Sequence, residues 1–163
     1  MNEQEKRTAY IELKFGPNWD YVVMGYSVVT CFLSSAIKDG VNTELIAIAV
    51  IELLSNAVKY SETKDVTLQI NVTPSQVDIK TFNLASEENI EYLKKEIEDI
   101  TQGTPLEAYI RKCRQIEREP KAKHSLGFAR IRYESNGKIS HKIIDKEVEV
   151  FVTCAILRGE DTR

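Results

Sequence analysis

The sequence lacks the close cysteine pairs that mark metal-binding and disulfide-stapled domains. Its three cysteines, Cys31, Cys113 and Cys154, are odd in number and far apart, so the ligand spacing of a zinc site is absent. Cys31 and Cys154 lie in apolar runs, which predicts that both are reduced thiols, buried like small hydrophobic side chains. A chain of 163 residues is long enough to fold without a disulfide or a metal.

No apolar stretch is long enough to cross a membrane. The longest run, VVMGYSVVTCFL, has 12 residues and includes Gly25, Ser27 and Thr30, whereas a helix that spans a bilayer needs about 20. The stretch MNEQEKRTAY at the N-terminus is charged, unlike a signal peptide. These features predict a cytoplasmic protein that has no membrane partner.

The sequence also lacks an excess of positive charge. With 22 basic and 25 acidic residues the formal net charge is -3 and the isoelectric point is about 5.5, so we expect no nucleic-acid partner. The composition is 42% hydrophobic, and no repeat, low-complexity segment or long linker divides the chain. We therefore expect a single domain over residues 1–163.

Apolar periodicity predicts a domain that combines a sheet with helices. The order of elements is β-α-α-β-β-(α-α)-α-β-β, and Asn42 and Thr43 are good N-cap residues for the second helix. This order is typical of a two-layer α/β (α+β) sandwich, in which a mixed, mostly antiparallel sheet of about five strands carries its helices on one face. Strands are expected at 9–15, 65–73, 76–83, 138–145 and 147–157, and helices at 18–38, 44–60, 126–135 and, as a two-helix insertion, 86–119.

A narrow polar stripe interrupts the second helix in the stretch VIELLSNAVKYS. Glu52, Asn56, Lys59 and Tyr60 stand at positions i, i+4, i+7 and i+8, so they share one face of a helix that is otherwise apolar. One interpretation is that the stripe merely borders water. The other is that it lines a nucleotide pocket, in which Asn56 binds Mg²⁺ through its side-chain oxygen and Glu52 orients or deprotonates the attacking group.

The stretch ELLSNAVKYS resembles the N box, E-x-x-x-N-A-x-K-(Y/H), of the GHKL superfamily of ATP-binding domains. The match falls on Glu52, Asn56, Ala57, Lys59 and Tyr60, and the order of elements agrees with the sandwich of that superfamily. The resemblance implies that ATP and Mg²⁺ are the cofactors. It also implies that Glu52 is the catalytic base, that Asn56 is the metal ligand, and that Lys59 lies at the nucleotide.

The next signature of the superfamily, V-x-D-x-G-x-G, is incomplete. The stretch VDIKTFNLAS has Asn83 where the aspartate would recognise adenine, and both glycines are absent. An amide can still hydrogen-bond adenine or water, so the resemblance assigns Asn83 to the adenine side. Leu84 and Ala85 lack the freedom of glycine at positive φ, and this departure bears directly on whether ATP binds.

A later stretch, HSLGFARIRYES, resembles the glycine-containing segment that closes over phosphates and opens a helix. Gly127 and Phe128 match, and Ser125 replaces the first glycine. Free N–H groups at the start of a helix favour an anion, so Ser125, Leu126 and Gly127 are candidates for a phosphate clasp. The alternative is that Ser125 only caps the helix and that Gly127 has no special role.

The helical insertion at about 86–119 stands where the superfamily keeps its ATP lid, so the resemblance implies that it is a lid. Its end, RKCRQIEREPKAK, holds six basic and two acidic residues. Most such runs are solvated faces. The alternatives are that Lys123 or a neighbour reaches the phosphates of ATP, or that the run docks an acidic partner. His124 is expected at the surface or in the lid rather than as a ligand.

A narrower resemblance covers about residues 9–157. The paired-helix insertion, followed by SLGFARIRYESNGKISHKIIDKEVEVFVTCAI, is similar to the SiaB-type family of bacterial GHKL regulatory proteins, which also tend to lack the standard aspartate-glycine motif. The resemblance implies a signalling protein that is an ATP-dependent serine/threonine kinase of a small partner protein in a partner-switching pathway. It also implies a homodimer as one assembly, although no surface in the sequence marks an interface.

Two alternatives to the kinase stay open. In the first, the domain is a degenerate GHKL fold that sequesters a regulator, as a non-catalytic anti-sigma-like binding protein. In the second, the match to the N box arose by chance and the chain is a structural protein. The kinase predicts that Mg-ATP binds and that binding depends on Asn56, whereas the alternatives predict no dependence of function on that residue.

Overall fold

The computed structural model describes residues 9–16, 18–38, 40–62, 65–120 and 125–159. The predicted order of elements is confirmed, and the ends of the elements move by no more than two residues, within the usual uncertainty of helix and strand ends. The strands are β1 (Ala9–Phe15), β2 (Val66–Val72), β3 (Gln76–Leu84), β4 (Lys138–Ile144) and β5 (Glu147–Ala155). The helices are α1 (Trp19–Ala36), α2 (Thr43–Tyr60), α3 (Glu87–Thr101), α4 (Pro105–Arg118) and α5 (Gly127–Glu134).

The five strands form one open sheet in the order β1-β2-β3-β5-β4. Every neighbouring pair is antiparallel, so the sheet is antiparallel throughout the described residues rather than mixed. In β2 and β3 buried and half-buried residues alternate strictly, because successive side chains point to opposite faces. One face of the sheet thereby supplies Leu68, Ile70, Val77 and Ile79 to the core.

Helix α2 is the central element of the layer that covers this face. It contacts α1, α5 and the strands β2, β3 and β5, and nine of its 18 residues are buried. Gly25 lets α1 approach closely, since a Cβ atom there would stand only 3.0 Å from Cδ2 of Leu54. The predicted two-layer sandwich is confirmed, and Glu52 and Asn56 lie half-buried on the side of α2 that meets α5.

The side chain of Asn42 does not cap α2 in the way that the sequence predicted, but links the start of that helix to the end of β5. It occupies the N-cap position of α2, but its side chain makes no capping hydrogen bond. Its Nδ2 instead donates to the carbonyl oxygen of Ala155 at 2.8 Å, and its Oδ1 accepts from the N–H of Leu157 at 2.9 Å. The buried amide thus ties the start of α2 to the end of β5.

Helices α3 and α4 form a hairpin that packs on α5. The Ser86 hydroxyl caps α3 by accepting from the N–H of Asn89 at 3.2 Å. Helix α4 begins with a capping box, in which Thr104 and Glu107 satisfy each other's backbone N–H groups, and Pro105 occupies the first turn. Both helices therefore begin with capping residues of the usual kinds.

The basic run at the end of the insertion is not simply a solvated face. Nζ of Lys112 lies 2.7 Å from Oε1 of Glu96 and 2.7 Å from Oδ2 of Asp99. The Lys112 residue is 2% exposed, and Nε of Arg111 donates to Oδ1 of Asp99 at 3.2 Å. The solvated interpretation is wrong for these two cations, which hold α4 to α3. Arg114 and Arg118 are exposed, whereas Lys121, Lys123 and His124 lie outside the described residues.

The expectation for the cysteines is half right. Cys154 is fully buried in the core, but Cys31 is exposed on α1 and Cys113 is half-buried on α4. Among the described helices, none has both the length and the hydropathy that a membrane span requires.

Candidate functional site

The start of α5 sits directly on the polar stripe of α2. Gly127, the first residue of α5, approaches Glu52 and Asn56 so closely that a Cβ atom on it would stand 2.7 Å from Oε2 of Glu52 and 3.3 Å from Nδ2 of Asn56. Only glycine permits this approach without a shift of the neighbouring groups. The structure therefore brings together three of the residues that the sequence predicted, and gives Gly127 a packing role.

Glu52 is held by an arginine that the sequence did not single out. Nη1 of Arg130 donates to Oε1 of Glu52 at 2.5 Å, while its Nε and Nη2 donate to the two carboxylate oxygens of Glu134 at 3.1 and 3.2 Å. Burial raises the pKa of the Glu52 carboxyl, and the charge of Arg130 offsets only part of that rise. The carboxylate expected to act as a base is thus already engaged by a cation.

The pKa of Arg130 is raised as well, chiefly by its hydrogen bonds to Glu134. The guanidinium therefore stays charged and bridges two carboxylates on different helices. A signal for it was present in the sequence, because Arg130 and Glu134 stand four residues apart on a helical pattern. Nothing local indicated the contact with Glu52, which lies 78 positions away.

Asn56 places a buried donor atom in the site, although the residue as a whole is half-buried. Its Nδ2 has no hydrogen-bond partner, which is costly for a buried amide. It lines a cavity between α2, β3, β5 and α3 whose volume is about 20 Å³, room for about one water molecule. The other lining residues are Leu53, Ala57, Tyr60, Thr81, Asn83, Ala85, Asn89, Leu93, Phe128, Val148 and Val150.

Helix α3 covers one side of this cavity. Asn89 and Leu93 line it, the Nδ2 of Asn89 lies 3.4 Å from the carbonyl oxygen of Tyr60, and the rings of Tyr60 and Tyr92 are 5.5 Å apart. The resemblance implied that the insertion is a lid, and α3 lies over this cavity. Tyr60 was expected at the pocket as part of the polar stripe, whereas Thr81 and Asn89 were not predicted there.

Asn83 does reach the cavity. It is buried and its Nδ2 makes only a long hydrogen bond, 3.4 Å, to the neighbouring carbonyl of Leu84. Lys59 does not line the cavity; it is exposed, with Nζ 5.1 Å from the ring centre of Tyr60. Of the predicted polar stripe on α2, Asn56 and Tyr60 line the cavity, Glu52 is paired with Arg130, and Lys59 is exposed.

The segment before α5 does not match the interpretation in which Ser125 caps the helix. The N-cap of α5 is Leu126, with no side-chain capping bond, so Ser125 is not the cap. Ser125 and Leu126 are half-buried. Lys123, the remaining candidate for a phosphate contact, lies outside the described residues.

The described form does not fit Mg-ATP. A cavity of about 20 Å³ is far below the roughly 300 Å³ at which small-molecule pockets begin. Glu52 is paired, and Gly127 fills the space over Glu52 and Asn56. A nucleotide would require α3 and α5 to move.

Comparison with solved structures identifies the fold. The chain is similar to a chain in the crystal structure of the SiaB–SiaC complex from Pseudomonas aeruginosa, with a TM-score of 0.64 and 16% identity over 88% of this chain and 89% of that chain. The catalytic domain of the histidine kinase ThkA matches at a TM-score of 0.44 and 12% identity, over 91% of this chain and 96% of that domain, and supports no further conclusion. No protein-family model and no curated protein matches the sequence. The likeness to the SiaB–SiaC structure establishes that this chain has the GHKL-like fold that its sequence predicted.

Proposed function

We propose that this chain is a signalling regulator that acts by binding a partner protein, with its nucleotide site closed. One observation carries the proposal: the Glu52 carboxylate is paired with Arg130 and lies against Gly127. Helix α5 therefore engages and covers the group that was expected to act as a base. The likeness to a chain of a protein–protein complex supports a protein as the ligand, though at 16% identity only the fold is shared.

The partner surface that we propose lies beside this ion pair, on α4 and α5. Arg130, Tyr133 and Glu134 share one side of α5, and the ring of Tyr133 stacks on that of Tyr109 with 5.0 Å between centres. Tyr133 is exposed, as are Leu106 and Ile110 on α4. A stacked pair of tyrosines beside an arginine, with Tyr133 exposed and Tyr109 half-buried, has the composition of a binding hot spot.

Affinity capture tests this surface. The immobilised wild-type protein and a Tyr133→Asp variant would be compared, and the purified captured protein would then be titrated by calorimetry. We expect Tyr133→Asp to weaken binding by a factor of about 10 or more, whereas Ile144→Asp, at an exposed site on β4, should bind as the wild type does. Equal binding by both variants would place the partner elsewhere.

A second candidate function, an ATP-dependent serine/threonine kinase of a small partner protein, is favoured by Asn56. A half-buried amide whose donor atom is buried and unsatisfied, facing a cavity under a helical lid, is consistent with a site that opens. In that open form Asn56 would hold Mg²⁺, with Lys59, Asn83, Lys123, Ser125, Leu126 and Gly127 around the nucleotide and Glu52 as the base.

Calorimetric titration with Mg-ATP separates the two functions. The partner-binding proposal predicts no binding by folded wild-type protein up to millimolar nucleotide. The kinase predicts magnesium-dependent binding that is lost in Asn56→Ala and strengthened in Arg130→Ala, where the pair with Glu52 is removed. Binding with this pattern would overturn the closed-site proposal.

A further inference from the structure

Strand β4 lies at an edge of the sheet, and its second side pairs with no other strand among the described residues. The turn to β5 has two residues, which makes Ile144 and Glu147 the first hydrogen-bonded pair of the hairpin. Bonding to β5 alternates along the strand, so the backbone N–H and C=O groups that point away from β5 belong to Ile139, His141 and Ile143. This edge therefore offers a row of backbone donors and acceptors to a further strand.

Two lysines on this edge have no ion-pair partner among the described residues. Lys138 and Lys142 are exposed on the face of the sheet that the helices leave open, and β4 itself carries no carboxylate. Glu149 stands opposite Lys142 on β5, but it is engaged by Nζ of Lys80 at 3.4 Å. The edge thus presents positive charge in an acidic protein.

The charges on the other edge strand, β1, are already satisfied within the sheet. Glu12 accepts hydrogen bonds from Tyr10 at 2.8 Å and from Gln69 at 2.7 Å. Nζ of Lys14 lies 3.3 Å from Oδ2 of Asp65. Of the two edges, β4 is therefore the one with charge available for a ligand.

Strand β5 shows which side chains β4 accepts as neighbours. On the open face, Glu149 stands opposite Lys142. On the buried face, the residues of β5 opposite β4 are Val148, Val150 and Val152. The second side of β4 presents the same side chains in the same alternation. A strand added there fits best with carboxylates toward the open face and apolar, β-branched residues toward the helices.

We propose that the uncovered edge of β4 binds an extended segment of a partner protein in which acidic and apolar residues alternate. The segment adds as a sixth strand, antiparallel like every neighbouring pair in this sheet. Its carboxylates stand opposite Lys138 and Lys142, at non-hydrogen-bonded positions, where side chains lie closest. Its apolar residues cover Ile139 and Ile143, which are half-buried. Backbone bonds supply the affinity and the lysines supply the specificity.

A second copy of β4 would be a poor occupant of this edge. Antiparallel pairing about His141 would bring four lysines and two histidines together, with no carboxylate in either strand. Edge lysines commonly exclude neighbouring strands. Here they exclude a strand like β4 itself and admit one that carries carboxylates.

Fluorescence anisotropy with a defined peptide tests the proposal. The probe is a labelled peptide with the central sequence EVTVE, which sets its glutamates opposite Lys138 and Lys142. We expect a dissociation constant on the order of 100 µM that rises with salt concentration. The control peptide, with KVTVK at its centre, should not bind up to about 1 mM. Because the net charge of the protein is -3, general electrostatic attraction would favour the control instead.

Reversal of charge on β4 tests the specificity. Lys138→Glu/Lys142→Glu should weaken binding of the EVTVE peptide at least about tenfold and should create binding of the KVTVK peptide. Lys95→Glu changes an exposed lysine on α3 and should bind as the wild type does. Tyr133→Asp should also bind normally, because the peptide does not use the α4–α5 surface. Circular dichroism would confirm that the variants are folded.

Backbone pairing is tested without altering the protein. N-methylation of the two valines of the probe removes the donors that face β4 and should abolish binding. Amide exchange followed by NMR should show new protection at Ile139, His141 and Ile143 when the probe is bound. No binding of the probe up to about 1 mM, equal binding to the charge-reversed variant or by the N-methylated probe, or protection along β1 instead would each overturn the proposal. These outcomes do not depend on the α4–α5 surface or on a nucleotide.

Discussion

Glu52 and Gly127 approach so closely that no side chain fits between them. A Cβ atom on Gly127 would stand 2.7 Å from Oε2 of Glu52, a distance at which something must move. The position of α5 on α2 thus depends on a residue with no side chain, and that position is what closes the candidate site.

Gly127→Ala should destabilise the fold by about 1–2 kcal/mol, because the added methyl group pushes α5 away from α2. The loss should shrink in a Glu52→Ala background, where the clashing carboxylate is gone. Urea unfolding measures both. Gly16→Ala is the control, since a Cβ atom there meets nothing within 4 Å; equal losses at both glycines would contradict the close contact.

Arg130→Met should destabilise the protein in a pH-dependent manner. Burial already raises the pKa of Glu52 above its ordinary value of 4.5, and loss of the arginine raises it further. The contribution of a group with a raised pKa is fully present below 4.5 and is lost as the pH rises through the folded value. The deficit of the variant should therefore be small near pH 4 and reach about 1–2 kcal/mol at neutral pH, after allowance for solvent screening.

Unfolding by urea at the two pH values, together with NMR titration of the Glu52 carboxyl, measures this effect. Arg114→Met removes an exposed arginine from α4 and should change stability by less than about 0.5 kcal/mol at either pH. A deficit for Arg130→Met that does not depend on pH would mean that the side chain acts by packing alone.

Lys112→Met should be among the most destabilising changes in the helical hairpin. It leaves the buried carboxylate of Glu96 without its cation, which costs about 3–5 kcal/mol in comparable buried pairs. Oε2 of Glu96 has no hydrogen-bond partner even in the intact pair. The double variant Lys112→Met/Glu96→Leu should therefore recover most of the loss.

Thermal and urea unfolding of Lys112→Met, Glu96→Leu and the double variant complete this double-mutant cycle. The exposed pair of Lys94 with Glu91, 2.7 Å apart, provides the comparison, and Lys94→Met should cost less than about 0.5 kcal/mol. A double variant as unstable as Lys112→Met alone would show that the pair matters through Asp99 rather than through Glu96.

Asn42→Asp should destabilise the protein by about 1–3 kcal/mol, although aspartate is as good an N-cap as asparagine. A carboxylate cannot donate to the carbonyl of Ala155, so the link from α2 to the end of β5 is broken. The matched control is Asn18→Asp. That residue caps α1 only through its acceptor oxygen, which lies 3.0 Å from the N–H of Asp20, so equilibrium unfolding should show little change.

Local sequence rules predicted the elements because the signals are local. The alternation in β2 and β3, the N-cap types Asn42 and Thr43 at the start of α2, and the apolar circumference of α2 each depend on residues close together in the sequence. The proximity of Glu52, Asn56 and Gly127 followed from the resemblance and from the order of elements. These features could be located before any coordinates were known.

The errors share one physical cause: in each case the outcome depends on a contact between residues that are far apart in the sequence. Lys112 stands in a run of charges, and only the packing of α4 on α3 buries it. Arg130 reaches Glu52 across 78 positions. Cys31 lies in an apolar run, which predicts burial, yet α1 turns it outward. Periodicity locates faces of an element, but not which face another element covers.

The strand order has a consequence for the sequence of events in folding. Strands β2 and β3 are joined by a tight turn, as are β4 and β5, but the pairing of β3 with β5 must close over about 60 intervening residues. During synthesis β3 is complete long before β5, its second neighbour in the sheet, has been made. The unpaired edge of β3 can meanwhile pair with other chains. Early packing of α2 on β3 would cover the side chains of β3, but only β5 satisfies the backbone groups on its second edge. We therefore expect slow, aggregation-sensitive refolding, limited by the arrival of the last strand.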